Sequence, residues 1–292
     1  MAEITAALVK ELRDKTNAGM MDCKKALTET NGNMEEAVLY LRERGIAKAA
    51  SKSSRAANQG IVATRITPCG CDGVLLEINC ETDFVAKNDN FKNFVEIVAD
   101  TLIASKATNL EEALQVAING GTMDDFVKVK VMEIGENMML RKFERYSLAE
   151  GENGAITSYI HMGGKVGVLL NVATGKAETA KSDALQSLIK DLTLHIAAAA
   201  PRSLTGANLD PAFIAEEQNI AREQLLAEGK TADLVDKILP GKLKALYKQS
   251  CLLDQEFVKD PSISVQQLVD TVAKQLGDKI EVKAFTRFQL GM

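Results

Sequence analysis

Two stretches decide the fold: Gly60–Asn79, GIVATRITPCGCDGVLLEIN, and Gly154–Ala173, GAITSYIHMGGKVGVLLNVA. They align without a gap at a constant spacing of 94 residues. Seven of the twenty positions are identical: Gly60/Gly154, Ile66/Ile160, Gly70/Gly164 and the run Gly73-Val74-Leu75-Leu76 against Gly167-Val168-Leu169-Leu170. Each copy has two β-rich runs around a Gly-rich turn, which predicts a hairpin. The chain is therefore read as an internal duplication.

Working outward, GENMMLRKFERYSL (Gly135–Leu148) aligns with GDKIEVKAFTRFQL (Gly277–Leu290), matching Gly135/Gly277, Phe143/Phe285, Arg145/Arg287 and Leu148/Leu290. Here the spacing is 142 rather than 94, so the second copy carries 48 additional residues. They lie in a helix-forming segment with Ile214, Ile220, Leu225 and Leu226, a break at Gly229, and a return through Leu234, Ile238, Leu239, Leu243 and Leu246. This predicts a projecting helical hairpin of coiled-coil type, with Pro240-Gly241 kinking or splitting its returning arm. Helical stripes also fill each repeat: Phe91, Phe94, Val95, Val98 and Leu102 in the first, Leu185, Leu188, Ile189, Leu192 and Ile196 in the second. The fold class is α+β, small antiparallel sheets covered by helices. The two repeats are expected to pack as one core.

Ahead of the repeats, three short helical patterns form a small bundle. Ile4, Leu8 and Leu12 precede a break at Asn17-Ala18-Gly19; MDCKKALTE is closed by Asn31-Gly32; Asn33 and Glu36 then open a third helix as a variant capping box. AKAASKSSRAANQG reads as a linker. The expected division is a three-helix unit over 1–54, a first core repeat over 55–149 and a second over 150–292. The second includes the helical insertion at about 208–250 and a C-terminal module from about 251 to 292 that supplies the last strand.

A formal net charge of −5 argues against a general nucleic-acid binder, which needs a basic excess to neutralise phosphates. No apolar run reaches transmembrane length, and MAEITAALVKEL carries charges where a signal peptide is apolar. The expected location is the cytoplasm. Five cysteines, Cys23, Cys69, Cys71, Cys80 and Cys251, fit free thiols in a reducing compartment. Cys69-Gly70-Cys71 admits a metal reading, but without a second Cys or His pair an ordinary turn is favoured.

Bond chemistry has little to stand on. His161 and His195 are the two histidines, far apart in sequence, and His195 beside an apolar helix face reads as structural. GGKVG (Gly163–Gly167) lacks the leading glycine and the Ser or Thr of a phosphate loop, and it sits in a hairpin. Glu35-Glu36, Glu111-Glu112 and Glu216-Glu217 read as solvated helix starts and faces. An enzyme using His161 with a cysteine is one alternative; a ubiquitin-like-binding or scaffold protein, based on the N-terminal bundle alone, is another. The favoured reading is a protein that works by presenting surfaces.

One corner stands out in a chain with only 4% aromatic residues. INCETDFVAKNDNF (Ile78–Phe91) ends a strand, then places Asp83-Phe84 before a helical pattern. The equivalent corner of the second copy, NVATGKAE, has no acid–aromatic pair.

INCETDFVAKNDNF and LRDKTNAGMMDCKKAL (Leu12–Leu27) strongly resemble the signatures of the bacterial elongation factor Ts family, and the similarity extends over the whole chain. The resemblance implies a ubiquitin-associated-like N-terminal domain, a duplicated core and a coiled-coil protrusion. It also implies guanine-nucleotide exchange on elongation factor Tu, in its GDP-bound and nucleotide-free forms, with no cofactor, nucleic acid or membrane partner. A higher-order complex with elongation factor Tu is left open. Asn17 stands where the family usually has Gly, and Pro240 interrupts a stretch that many members continue smoothly.

Position by position, the resemblance gives Asp83 and Phe84, flanked by Thr82 and Val85, as the element that approaches the partner's magnesium site. Met20 and Met21, with Lys24 nearby, match an apolar pair that docks on a helix of the partner's GTPase domain. Ile134 and Gly135 in EIGEN, His161 in SYIHMGG and Val258 in EFVKDPS match further contact positions, with Lys259 replacing an apolar neighbour seen in some members. Taken alone, Phe84 would read as core. Met20 and Met21 leave one helix in different directions after a turn, so at least one should be exposed.

Overall fold

The computed structural model describes residues 4–16 and 18–292, and the side chains of all of these except 46–51. Asn17, where the sequence departs from the family pattern, lies outside the described residues. Helices α1 (Ala6–Thr16), α2 (Met20–Glu29) and α3 (Met34–Lys52) enclose a small core of Val9, Leu12, Ala18, Cys23, Ala26, Leu27, Ala37 and Leu41. Asn31 and Gly32 make the α2–α3 turn with positive φ. The Asn33 side chain then accepts from the N–H groups of Glu35 and Glu36, satisfying donors that the first turn of α3 leaves open.

The first repeat runs β1 (Gln59–Ile66), β2 (Asp72–Cys80), α4 (Asp83–Lys87), α5 (Asp89–Ala104), α6 (Leu110–Gln115), β3 (Ala117–Ile118), β4 (Gly121–Thr122), α7 (Met123–Ile134) and β5 (Met138–Ser147). Its main sheet has the order β1-β2-β5, antiparallel throughout. The second runs β6 (Asn153–His161), β7 (Val166–Thr174), α8 (Ala177–Ala180), α9 (Asp183–Ala199), α10 (Pro211–Ala227), α11 (Ala232–Ser250), β8 (Glu256–Phe257), β9 (Asp260–Ser264), α12 (Val265–Leu276) and β10 (Ile280–Gln289). Its sheet, β6-β7-β10, has the same topology. The class is α+β.

The duplication reaches further than the matched sequences. Helices α7 and α12 start and end 142 residues apart, both open with a capping box (Thr122 with Asp125, Ser264 with Gln267), and both end on a left-handed glycine, Gly135 or Gly277. Arg145 and Arg287, identical in the alignment, perform one task. Arg145 donates to the carbonyls of Leu102, Ile103, Ser105 and Ala107 at the end of α5; Arg287 donates to Ala197 O at the end of α9. Each guanidinium answers carbonyls that the helix cannot pair itself.

The expectation of a single core is corrected. One cluster lies between the first sheet and its helices, a second between the second sheet and its helices, and a third between the two sheets. The matched Gly-Val-Leu-Leu runs explain this. Val74, Leu76, Val168 and Leu170 face their own helices, while Leu75 and Leu169 face the opposite sheet. Both faces are buried, which is why these strands read as continuous apolar runs. A Cβ on Gly73 would lie 2.7 Å from Ile156 Cγ2, and one on Gly167 would lie 2.4 Å from Val62 Cγ1. Those two glycines let the sheets meet.

Three further expectations change. Of the two outcomes expected at Pro240, a kink or a split, the split does not occur: α11 continues from Ala232 to Ser250 with Pro240 inside it. Pro240 and Asp236 are both exposed, so the carbonyl that the proline leaves unpaired can be met by water. The cysteines are not all free, because a disulfide joins Cys69 and Cys71 within the β1–β2 turn. The segment read as a linker, 47–60, is helical as far as Lys52, where α3 ends; α3 packs on α7, and Arg42 donates to Gly120 O at 2.8 Å and pairs with Asp125 at 3.3 Å. Among the described residues no helix is long and apolar enough to cross a membrane.

Candidate functional site: an aromatic corner on a braced turn

The corner between β2 and α5 is built around a single turn of helix. Thr82 is the N-cap of α4, its Oγ1 accepting from Val85 N–H. Asn88 ends α4 and caps α5, so the chain turns sharply between the two. Asp83 and Phe84 occupy the first turn of α4. Ala86 is buried, and Val85 packs against the first core. Alternation around that turn leaves Phe84 pointing outward, 82% exposed. The short helix thus carries a large apolar side chain on a rigid base, in water.

The brace comes from a distant residue. Glu136 Oε2 accepts from Thr82 N–H at 3.0 Å, and Glu136 Oε1 accepts from the Thr82 hydroxyl at 2.7 Å. Beside it, Glu81 Oε1 accepts from Asn137 N–H at 2.6 Å. Cys80, its thiol pushed up to about 12 by burial, donates to Thr82 O. Asp83 pairs with Lys87 at 2.7 Å, and this hydrogen bond with the ammonium holds its carboxyl below the usual range.

The structure brings several of the expected residues together. Ile134, packed against the first core, and Gly135, the left-handed end of α7, lie immediately before Glu136, the residue that holds Thr82. The tip of the β6–β7 hairpin also reaches this end of the molecule. Gly164 O accepts from Val62 N–H at 2.9 Å, and the Lys165 charge helps lower the carboxyl of Asp83. His161 is exposed at that tip, with Tyr159 OH 3.0 Å from its Nδ1. Met162, 72% exposed with φ of 49°, follows it.

Other expected residues lie on separate elements. Met20 and Met21, both exposed, start α2, and Lys24 is exposed one turn later. Val258, 46% exposed, sits in the β8–β9 turn. That turn is held from α9: Val258 N–H donates to His195 Nδ1 at 3.2 Å, and Lys259 pairs with Asp191 at 2.6 Å. With Nδ1 accepting, the proton of buried His195 is on Nε2, which meets Gln255 Oε1 at 2.9 Å.

Glu136, Lys165 and Met162 were not read from the sequence as parts of the site, whereas His195 was read as structural, and its two hydrogen bonds agree with that. Glu136 has a usable signal. The antiparallel register pairs Cys80 with Met138, and two steps beyond that pair Thr82 faces Glu136. The second repeat repeats the brace: Thr174 pairs with Ile280, and Asp278 Oδ2 accepts from Lys176 N–H at 2.9 Å. Thr82 and Lys176 are equivalent, as are Glu136 and Asp278. What differs is the cargo, Asp83-Phe84 on one brace and Ala177-Glu178 on the other. Among the described residues no group of three or more His, Cys, Asp or Glu could hold a metal ion.

Comparison with known proteins gives a consistent picture. The family model described as Elongation factor TS matches residues 81–292. Elongation factor Ts of Trichlorobacter lovleyi is 44% identical over 291 residues, covering 99% of this chain and 93% of the relative. That of Nitratiruptor sp. is 42% identical over 288 residues with the same coverage, and that of Lawsonia intracellularis is 39% identical over 290 residues, covering 99% of both.

Proposed function

This chain belongs to the elongation factor Ts family, a family of translation elongation factors, and from that membership we propose that it is the guanine-nucleotide exchange factor of elongation factor Tu. It binds elongation factor Tu carrying GDP, displaces the partner's magnesium- and phosphate-binding region, and stabilises the nucleotide-free form until GTP binds. It makes and breaks no covalent bond, needs no cofactor, and acts in the cytoplasm without contacting nucleic acid. The single observation that carries this reading is Phe84, exposed on the one corner of two that bears an aromatic residue.

Only differential affinity shifts an equilibrium, so the factor must hold nucleotide-free partner more tightly than GDP-bound partner. By linkage, GDP then loosens the factor as much as the factor loosens GDP. Phe84, with Asp83, Thr82 and Val85 as its base, is the wedge against the metal-binding region. Burial of one phenylalanine contributes about 1.5–3 kcal/mol, or one to two powers of ten in GDP affinity, so the wedge needs help. Met20 and Met21 with Lys24 dock on a helix of the partner's GTPase domain. Ile134, Gly135 and His161 add core contacts, and Val258 adds one from the C-terminal module.

In this reading the chain divides into a ubiquitin-associated-like domain over 1–54, core repeats over 55–149 and 150–292, a coiled-coil protrusion at about 208–250 and a C-terminal module from about 251. The test is GDP release from elongation factor Tu with and without this protein. Acceleration supports the proposal, and an unchanged rate refutes it.

A further inference from the structure

The five cysteines divide by accessibility. Cys23, Cys80 and Cys251 are free and buried, and burial pushes all three thiols up, which withholds the thiolate that exchange chemistry requires. Cys69 and Cys71 are bonded to each other across Gly70, with Cys69 exposed and Cys71 half-buried.

The bond is not what shapes the turn. Thr67 N–H donates to Asp72 O at 2.9 Å, Asp72 N–H donates to Thr67 Oγ1 at 3.1 Å, and Gly70 N–H donates to Thr67 O at 2.8 Å. Gly70 supplies the reversal with φ of +68°. From outside the turn, Ile156 N–H donates to Gly70 O at 2.7 Å and Leu148 N–H donates to Cys71 O at 2.8 Å. Backbone bonds thus hold the two cysteines close whether or not their sulfurs are joined. A disulfide stabilises mainly through the loop it closes, and the gain falls as that loop shortens. A link between residues two apart is close to the smallest such loop. The Thr67 hydroxyl, 3.3 Å from Cys69 Sγ and 3.9 Å from Cys71 Sγ, offers a polar partner to either sulfur when the bond opens.

We propose that Cys69 and Cys71 form a reversible thiol–disulfide exchange site for low-molecular-weight thiols. A thiolate attacks exposed Cys69 Sγ, forming a mixed disulfide as the Cys69–Cys71 bond breaks, and Cys71 leaves as thiolate to take a proton from solvent. A second thiolate attacks the mixed disulfide at the small thiol's sulfur. It releases Cys69 as thiolate and a small disulfide, so the protein gains the two electrons that the two thiols lose. This inference is independent of the proposed exchange function.

The test equilibrates the full chain with glutathione buffers of graded redox ratio and maps cysteine states by differential alkylation and mass spectrometry, with thermal unfolding measured in parallel. Cys69 and Cys71 are expected to interconvert together in the folded protein while Cys23, Cys80 and Cys251 stay unmodified. Cys71→Ser, which removes the resolving sulfur, is expected to trap a single glutathione adduct on Cys69. The Cys69→Ser/Cys71→Ser double variant is expected to unfold within about 1 °C of the parent. Resistance of the pair to exchange until the protein unfolds would overturn the proposal. A double variant that unfolds several degrees lower would overturn it as well, by making the bond a structural link.

Discussion

Glu136 accepts two hydrogen bonds from Thr82, one from its backbone N–H and one from its hydroxyl, across 54 residues of sequence. The same carboxylate position in the second repeat, Asp278, holds Lys176. The duplicated brace supports a one-turn helix that could not persist alone, since isolated helices this short are unstable in water.

Glu136→Ala should therefore loosen the wedge without removing it. Hydrogen bonds to a charged acceptor contribute about 1.5–3 kcal/mol each, part of which water replaces at a half-exposed site. We expect GDP release from elongation factor Tu to slow about tenfold, with wild-type secondary structure. Adding Phe84→Ala to Glu136→Ala should slow it less than the two effects multiplied, because both act through one side chain. Strict multiplication in stopped-flow kinetics would show that Glu136 acts elsewhere.

The paired arginines are expected to differ in weight. Arg145 answers four carbonyls and Arg287 one. Arg145→Met should destabilise the protein by about 2–4 kcal/mol, while Arg287→Met should cost less than half as much. Urea unfolding of the two variants checks the order, and equal losses would contradict it.

The hairpin repeat, the helical stripes and the α+β class were legible because identical residues or simple periodicity carried them. The α7/α12 repeat was not. TMDDFVKVKVMEIG and SVQQLVDTVAKQLG share only Val127/Val269 and Gly135/Gly277, and the likeness lies in cap chemistry and burial rather than identity. The division into one cluster per repeat and a third between the sheets, where Leu75 and Leu169 lie, was not legible, because an all-apolar strand does not reveal which neighbour covers which side. The Glu136 brace needed the strand order β1-β2-β5, a long-range pairing. The Asp83-Phe84 corner was visible as a composition anomaly, yet its outward direction depends on Val85 and Ala86 taking the buried side.

His195 makes a pH prediction. Burial lowers its pKa from 6.5, so the folded protein binds this proton less readily than the unfolded chain. Its stabilising contribution is complete above about pH 6.5 and is lost progressively as pH falls from there toward the lower folded value. Protonation of Nδ1 would also remove the acceptor for Val258 N–H. His195→Gln should be less stable than wild type at pH 7.5. The gap should narrow on acidification by at most about 1.4 kcal/mol per pH unit in that window. Thermal unfolding at pH 7.5 and 5.5 checks this, and a constant gap would contradict it.

Both methionines at the start of α2 are exposed, so replacing them leaves the bundle core intact. Met20→Ala with Met21→Ala should weaken the complex with elongation factor Tu by about tenfold to a hundredfold, within the range of interface anchors, with little change in unfolding temperature. Titration calorimetry measures the affinity. Unaltered binding would remove the pair from the interface.

The account turns on Phe84, and release of fluorescent GDP from elongation factor Tu, followed by stopped flow with wild type and Phe84→Ala, tests it most directly. Because Phe84 is 82% exposed, the substitution should leave unfolding nearly unchanged, within about 0.5 kcal/mol. The predicted result is release slowed by about ten- to a hundredfold at saturating factor, matching the roughly 1.5–3 kcal/mol of a buried phenylalanine. Wild-type release rates from the folded Phe84→Ala protein would contradict the wedge.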